Sequence, residues 1–220
     1  VLLDFSLPGE VTDYQRRLHM DSGIVEITYR AGQTRFRREY FMAAPADNVM
    51  VVRITAEGPG RISGQIRLNR TERADDFRTH ESIQSPNCPV TNKVSGDLLI
   101  LAASLPEGFP FGAVARVTSK GGTISPQEGG DQITASAALT IRDAREVLIV
   151  VAMATGHESP EPVAWCKGHL AARRFPFETL RQRHLQDHQQ LFRRVCLSLD
   201  DPQPERPTDQ LVEEALRSKH

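Results

Sequence analysis

Long apolar runs are missing from this chain, and so is an excess of charge of either sign. The longest apolar run, Val147 to Ala154, is far shorter than the roughly 20 residues a helix needs to cross a bilayer, so no membrane span is expected. Lys and Arg together number 27 against 28 Asp and Glu. No field of one sign is available to hold a polyanion, which argues against nucleic acid as a partner. Cysteine is scarce too. Cys88, Cys166 and Cys196 show no Cys-x-x-Cys or Cys-x-x-His spacing, so neither a zinc knuckle nor a disulfide framework is indicated, and buried thiols that act as small core residues are the simpler reading. Gly-rich phosphate loops, a Gly-x-Ser-x-Gly elbow and a Cys–His pair at useful spacing are all lacking. The residues therefore offer no catalytic set and call for no cofactor. Val1-Leu2-Leu3-Asp4-Phe5 has no basic n-region and no long apolar h-region; the expectation is a removed leader or a start inside a longer protein.

What is present is alternation. Ile24-Val25-Glu26-Ile27-Thr28-Tyr29 reads as a strand, as do Thr34 to Phe41, Val49 to Thr55, Arg61 to Leu68, Leu98 to Ser104, Ala113 to Ser119, Gln132 to Ser136 and Val147 to Ala154. Turn chemistry at Ala31-Gly32, Gly58-Pro59-Gly60, Gly121-Gly122 and Gly129-Gly130 separates them. Many strands with brief turns and no helix between them predict an antiparallel β-sandwich over residues 1–155. Val147 to Ala154 is apolar on both faces, so it should be a central strand covered by a further layer.

Residues 156–220 change character. Gly156-His157-Glu158-Ser159-Pro160-Glu161-Pro162 is a linker, and Trp165, the single Trp, is expected to anchor a connecting helix on the sandwich. From Pro176 the apolar positions Phe177, Leu180, His184, Leu185, His188, Leu191, Phe192 and Val195 share one broad face of a helix of about five turns. Asp200-Asp201-Pro202-Gln203-Pro204-Glu205-Arg206-Pro207 cannot continue it. Thr208 reads as the N-cap of a further helix with Leu211, Val212, Ala215 and Leu216 on one side, unfinished at His220. The expectation is a helical linker cut before a further domain.

Two clusters invite a chemical reading. His184 and His188 stand at i and i+4 on one helix face, the spacing of a helical zinc site. No third ligand is in view, and packing against the sandwich is the competing reading. The polar stretch from Asn69 to Glu81 carries Arg73, Asp75, Asp76, Arg78 and His80, groups suited to sugar hydroxyls on a loop between strands, although charged loops usually face water.

The segment Tyr14-Gln15-Arg16-Arg17-Leu18-His19-Met20-Asp21, then Val25 to Tyr29, Arg38-Glu39-Tyr40-Phe41 and Asn48 to Ala56, resembles the N-terminal domain of glycoside hydrolase family 95, the α-L-fucosidases and related galactosidases. A second block, His184-x-x-Asp187-His188-x-x-Leu191-Phe192-x-Arg194-Val195 followed by Leu197, Leu199 and Pro207-Thr208-Asp209, resembles the linker ahead of that family's barrel. Arg17, His19 and Ala43 depart from the pattern and mark a divergent member. The resemblance implies a bacterial enzyme, secreted, periplasmic or cytoplasmic, with this sandwich before an (α/α)6 catalytic barrel on the same polypeptide. It also implies inverting hydrolysis, an acid and a water-activating group standing roughly 6.5 to 9.5 Å apart across the glycan substrate. Those groups would belong to the barrel, so no catalytic residue is assigned in this chain, and about the first hundred family positions would precede it. A stand-alone carbohydrate-binding sandwich and a docking domain without ligand are the competing readings; the amphipathic helices favour an accessory domain of a larger enzyme.

Overall fold

The computed structural model describes residues 1–69, 90–104, 108–127, 137–197 and 207–217. Among these residues twelve strands precede three helices: β1 (Leu2–Ser6), β2 (Val11–His19), β3 (Ile24–Ala31), β4 (Thr34–Met42), β5 (Met50–Glu57), β6 (Ile62–Arg67), β7 (Val90–Ser95), β8 (Leu98–Ser104), β9 (Pro110–Lys120), β10 (Thr123–Gln127), β11 (Ala138–Ala144), β12 (Glu146–Thr155), α1 (Pro162–Ala172), α2 (Phe177–Phe192) and α3 (Thr208–Arg217). The strands form two antiparallel sheets. The narrower has the order β1-β6-β11-β10, and the wider β2-β3-β4-β5-β12-β9-β8-β7. The chain is a β-sandwich followed by helices, as alternation predicted.

Alternation along β12 shows how the layers are made. Val147, Ile149 and Val151 face the narrow sheet and join Ile54, Val52, Leu99 and Val117 against Ile62, Ile66, Leu139 and Ile141. Val150, Ala152 and Ala154 face the other way, onto Cys166, Leu170, Phe177 and Leu180 of α1 and α2. β12 lies between β5 and β9 near the middle of the wide sheet, so its apolar character on both faces reflects burial on both faces.

The outer face admits α1 closely because its residues there are small. A Cβ built on Gly112 would lie 2.7 Å from the Val163 methyl, and Ala152 and Ala154 continue that shallow floor. Cys166 sits on it, its Sγ 3.8 Å from the Gly112 carbonyl. Trp165 packs at the edge of this second core and stacks on His169 at 4.9 Å, the anchoring expected of it.

Several strands escaped the sequence pattern. Those at Leu2–Ser6, Val11–His19, Val90–Ser95, Thr123–Gln127 and Ala138–Ala144 lie in the narrow sheet or at an edge of the wide sheet, where at most one face is buried and the apolar signal is weak. Gln132 to Ser136, read as a strand, lies outside the described residues, as does Cys88. Pro176 sits one residue earlier than expected, as the N-cap of α2 with extended backbone, and Thr208 is already helical.

Burial pushes the Cys166 thiol up to about 11, whereas Cys196 is exposed. In a Cys88→Ser background, one thiol should react quickly with a disulfide reagent at neutral pH and the second only after unfolding, since the thiolate is the nucleophile. Rapid reaction of two thiols in the native state would contradict this packing.

Candidate functional site

The outer face of the wide sheet is divided across its strands. One band is apolar and lies beneath α1 and α2; the adjacent band is charged and stays beside α2. The register explains the division. Glu26 pairs across from Glu39, Glu39 from Arg53 and Arg53 from Leu148, so one cross-strand row carries charge until it reaches β12. The row set by Phe41 and Val51 continues through Val150 and is apolar.

The block Arg38-Glu39-Tyr40-Phe41 therefore distributes its residues by parity. Arg38 turns inward, donating to the Tyr29 hydroxyl at 2.8 Å with its guanidinium 5.2 Å from the Tyr29 ring centre. Glu39 turns outward and is only 3% exposed; Arg37 at 3.1 Å, Arg53 at 3.7 Å and Arg181 at 3.9 Å surround it. Phe41, also outward, meets Phe177 edge-on at 5.9 Å and stacks on His184 at 4.9 Å.

Arg53 is the hub of the charged band. It donates twice to Glu146, at 3.0 and 2.7 Å, lies 3.6 Å from Glu178 of α2 and covers the Phe177 ring at 4.3 Å. Lys120 reaches the other oxygen of Glu146 at 2.8 Å. Burial works against ionisation of Glu146, but the hydrogen bonds from Lys120 and Arg53 outweigh it and hold the carboxyl below its ordinary range.

His184 and His188 act as a latch. The Nε2 atom of His184 lies 2.7 Å from the Ser22 carbonyl and that of His188 lies 2.8 Å from the Met20 carbonyl; with Nε2 as donor, both bonds grip the β2–β3 turn. Gly23 has φ +62°, and a Cβ there would come within 2.9 Å of the His188 ring, so glycine serves both the turn and the close approach. Gln189 donates to Asp21 at 2.8 Å, and Arg193 donates to both carboxylate oxygens, each at 2.7 Å. The Arg193 bonds draw the Asp21 carboxyl below its usual range. Asp187, which the zinc reading placed between the histidines, makes no hydrogen bond or ion pair among the described residues. No group of three His, Cys, Asp or Glu side chains able to hold a metal occurs among the described residues.

The neighbouring β4–β5 loop is held in the same way. His169 Nε2 contacts the Asp47 carbonyl at 2.7 Å, Arg173 bonds the Ala46 carbonyl, and Arg183 meets the Asp47 carboxylate at 2.8 Å. Both hairpin ends are thus tied to helices, a role for Arg183, His169 and Asp21 that no spacing rule identified. Arg73, Asp75, Asp76, Arg78 and His80, the sugar-contact candidates, lie outside the described residues.

A wide sheet backed by helices that clamp its hairpin ends, with a charged band left open beside them, defines a helical appendage on a sandwich. The class is the N-terminal domain of a glycoside hydrolase-like enzyme. Residues 1–160 match the model for the N-terminal domain of glycosyl hydrolase family 65, and the chain belongs to that family. It is 25% identical over 227 aligned positions to alpha-L-fucosidase 2 of Arabidopsis thaliana, covering 93% of this chain and 26% of that protein. In fold it matches a putative kojibiose phosphorylase from human microbiome with TM-score 0.54 at 12% identity, covering 82% of this chain and 25% of that one. The chain spans about a quarter of the length of both.

Two measurements test this site. Glu146 ionises more readily folded than unfolded, so its ion pairs add stability at neutral pH that is lost as pH falls through the depressed folded value. Glu146→Gln should therefore lower the melting temperature near pH 7 and converge with the parent chain in acid; a constant offset at all pH values would refute the assignment. Leu180 is 1% exposed and Phe192 42%. Leu180→Ala should cost about 2–5 kcal/mol in denaturant unfolding, and Phe192→Ala clearly less than the roughly 3–5 kcal/mol of a buried ring.

Proposed function

We propose that this chain is the non-catalytic N-terminal part of a longer glycoside hydrolase resembling α-L-fucosidases. In this reading residues 1–155 are the sandwich and residues 156–220 the helical link to a catalytic domain on the same polypeptide. The complete enzyme would remove terminal fucosyl or related galactosyl residues with inversion.

One observation carries the reading: α2 has a continuous apolar face, and the sandwich covers only its first half. Phe177, Leu180 and His184 are buried, whereas Leu191, Phe192 and Val195 are exposed, Val195 to 84%. The helix expected from Pro176 to Val195 ends at Phe192; it is seated on the sandwich at one end and open at the other. Leu211, Val212 and Leu216 of α3 are likewise exposed. A strip of large apolar side chains in sequence after a clamped half-helix is what an adjoining domain would cover. The name and length of the Arabidopsis relative support a fucosidase-like parent.

The chemistry of the charged band supports a supporting role. A glycosidic acid must hold its proton near neutral pH, which requires a raised carboxyl value. Glu146 is shifted the other way, and Glu39 is shared among three guanidinium groups. Neither carboxylate is arranged to protonate a leaving oxygen.

The chain alone should release no aryl alcohol from aryl α-L-fucosides or galactosides. Turnover that survives repurification and disappears on a substitution within these residues would overturn the proposal. Leu191→Asp and Val195→Asp should change the stability of the 220-residue chain by no more than about 0.5 kcal/mol, yet lower the melting temperature of a polypeptide that includes the following domain.

A further inference from the structure

Beside the start of α2, the charged band opens into a cavity of about 500 Å³. This is within the range of small-molecule sites, roughly 300–1,000 Å³. Its floor is Leu148 and Val150, one wall carries Phe175 and Phe177, and five cations line it, Arg53, Arg116, Lys120, Arg173 and Arg174, against two carboxylates, Glu146 and Glu178. The excess is local, for the whole chain has net charge −1.

Most of these cations already have partners. Arg53 and Lys120 hold Glu146, Arg116 donates to the Leu170 carbonyl at 2.6 Å and lies 3.5 Å from Asp97, and Arg173 bonds the Ala46 carbonyl. Arg174 has no acceptor among the described residues. The N-terminus of α2 opens on the same space, and no side chain caps it, so its free backbone N–H groups add to the positive potential. Another cavity along α2, about 340 Å³, differs in kind: three carboxylates, Asp21, Glu26 and Glu39, line it beside Arg37 and Arg181.

The geometry points to a binding site for an anionic sugar, one whose carboxylate or phosphate meets Arg174 and its neighbours while the ring lies on Phe175 and the Leu148–Val150 floor. A guanidinium fork matches the two oxygens of either anion, and the apolar walls suit the C–H face of a pyranose. The argument for it does not depend on which bond the longer enzyme cleaves.

Calorimetric titration of the 220-residue chain at low salt separates the components, with glucuronate, glucose 6-phosphate, glucose and inorganic phosphate as probes. Glucuronate and glucose 6-phosphate should bind saturably, and glucose and inorganic phosphate each at least about tenfold more weakly, because each lacks one of the two recognised features. Arg174→Gln should weaken both anionic sugars by about tenfold or more, without changing the melting temperature, since Arg174 is exposed and has no acceptor among the described residues. Equal binding of inorganic phosphate and glucose 6-phosphate would remove the ring from the proposal. Equal binding of glucose and glucuronate, an unaltered affinity in Arg174→Gln, or no saturable binding of either acid would overturn it. None of these results bears on aryl-fucoside turnover, so this site and the accessory role stand or fall separately.

Discussion

The constraint on which this structure turns is that its wide sheet is apolar on both faces while the narrow sheet can cover only one. Val150, Ala152, Ala154, Val114 and Val51 would stand in water if the chain ended at Thr155. Burying a large side chain among them is worth about 1.5–3 kcal/mol, so the helices that follow are part of the sandwich's own core. Leu170 and Leu180 complete that layer, both almost fully buried.

Covering the face also decides where the helices end up. Gly112 and the two alanines let α1 descend onto β9 and β12, and the short link from Arg173 to Pro176 then returns the chain as α2 across the Phe41 row. Along its length α2 meets first Arg53 and Glu39, then Ser22 and Met20, and finally Asp21. Its polar residues therefore serve as contacts to the sheet edge as much as a solvent face. The same path leaves the cavity beside Phe177, where the link between α1 and α2 and the first turn of α2 stand over β5, β9 and β12.

The histidine pair shows how one spacing serves two chemistries. Two imidazoles one turn apart can converge on a metal or reach two carbonyls of a turn; here the carbonyls of Met20 and Ser22 are the partners. A turn built around Gly23 with positive φ presents those carbonyls outward, and the ladder Phe41, His184, His188, Phe192 aligns the rings over it.

The local pattern was enough to determine the six inner strands of the wide sheet, the central place of Val147 to Ala154 and the helix from Phe177, since each rests on a period read within one segment and on burial of that segment's own face. The edge strands of the wide sheet and, β6 apart, the strands of the narrow sheet were not legible, because a short segment with at most one buried face barely differs from a loop. Nor were Arg53 as hub, the grip of Arg183 on Asp47 and of Arg193 on Asp21, or the cationic cavity. Arg53 and Glu146 are 93 positions apart and Asp21 and Arg193 are 172 apart; only the register of the strands and the path of α2 bring such residues together. Composition fixes how much charge a chain carries, but which charges meet, and where a surplus is left facing an apolar wall, is settled by tertiary packing alone.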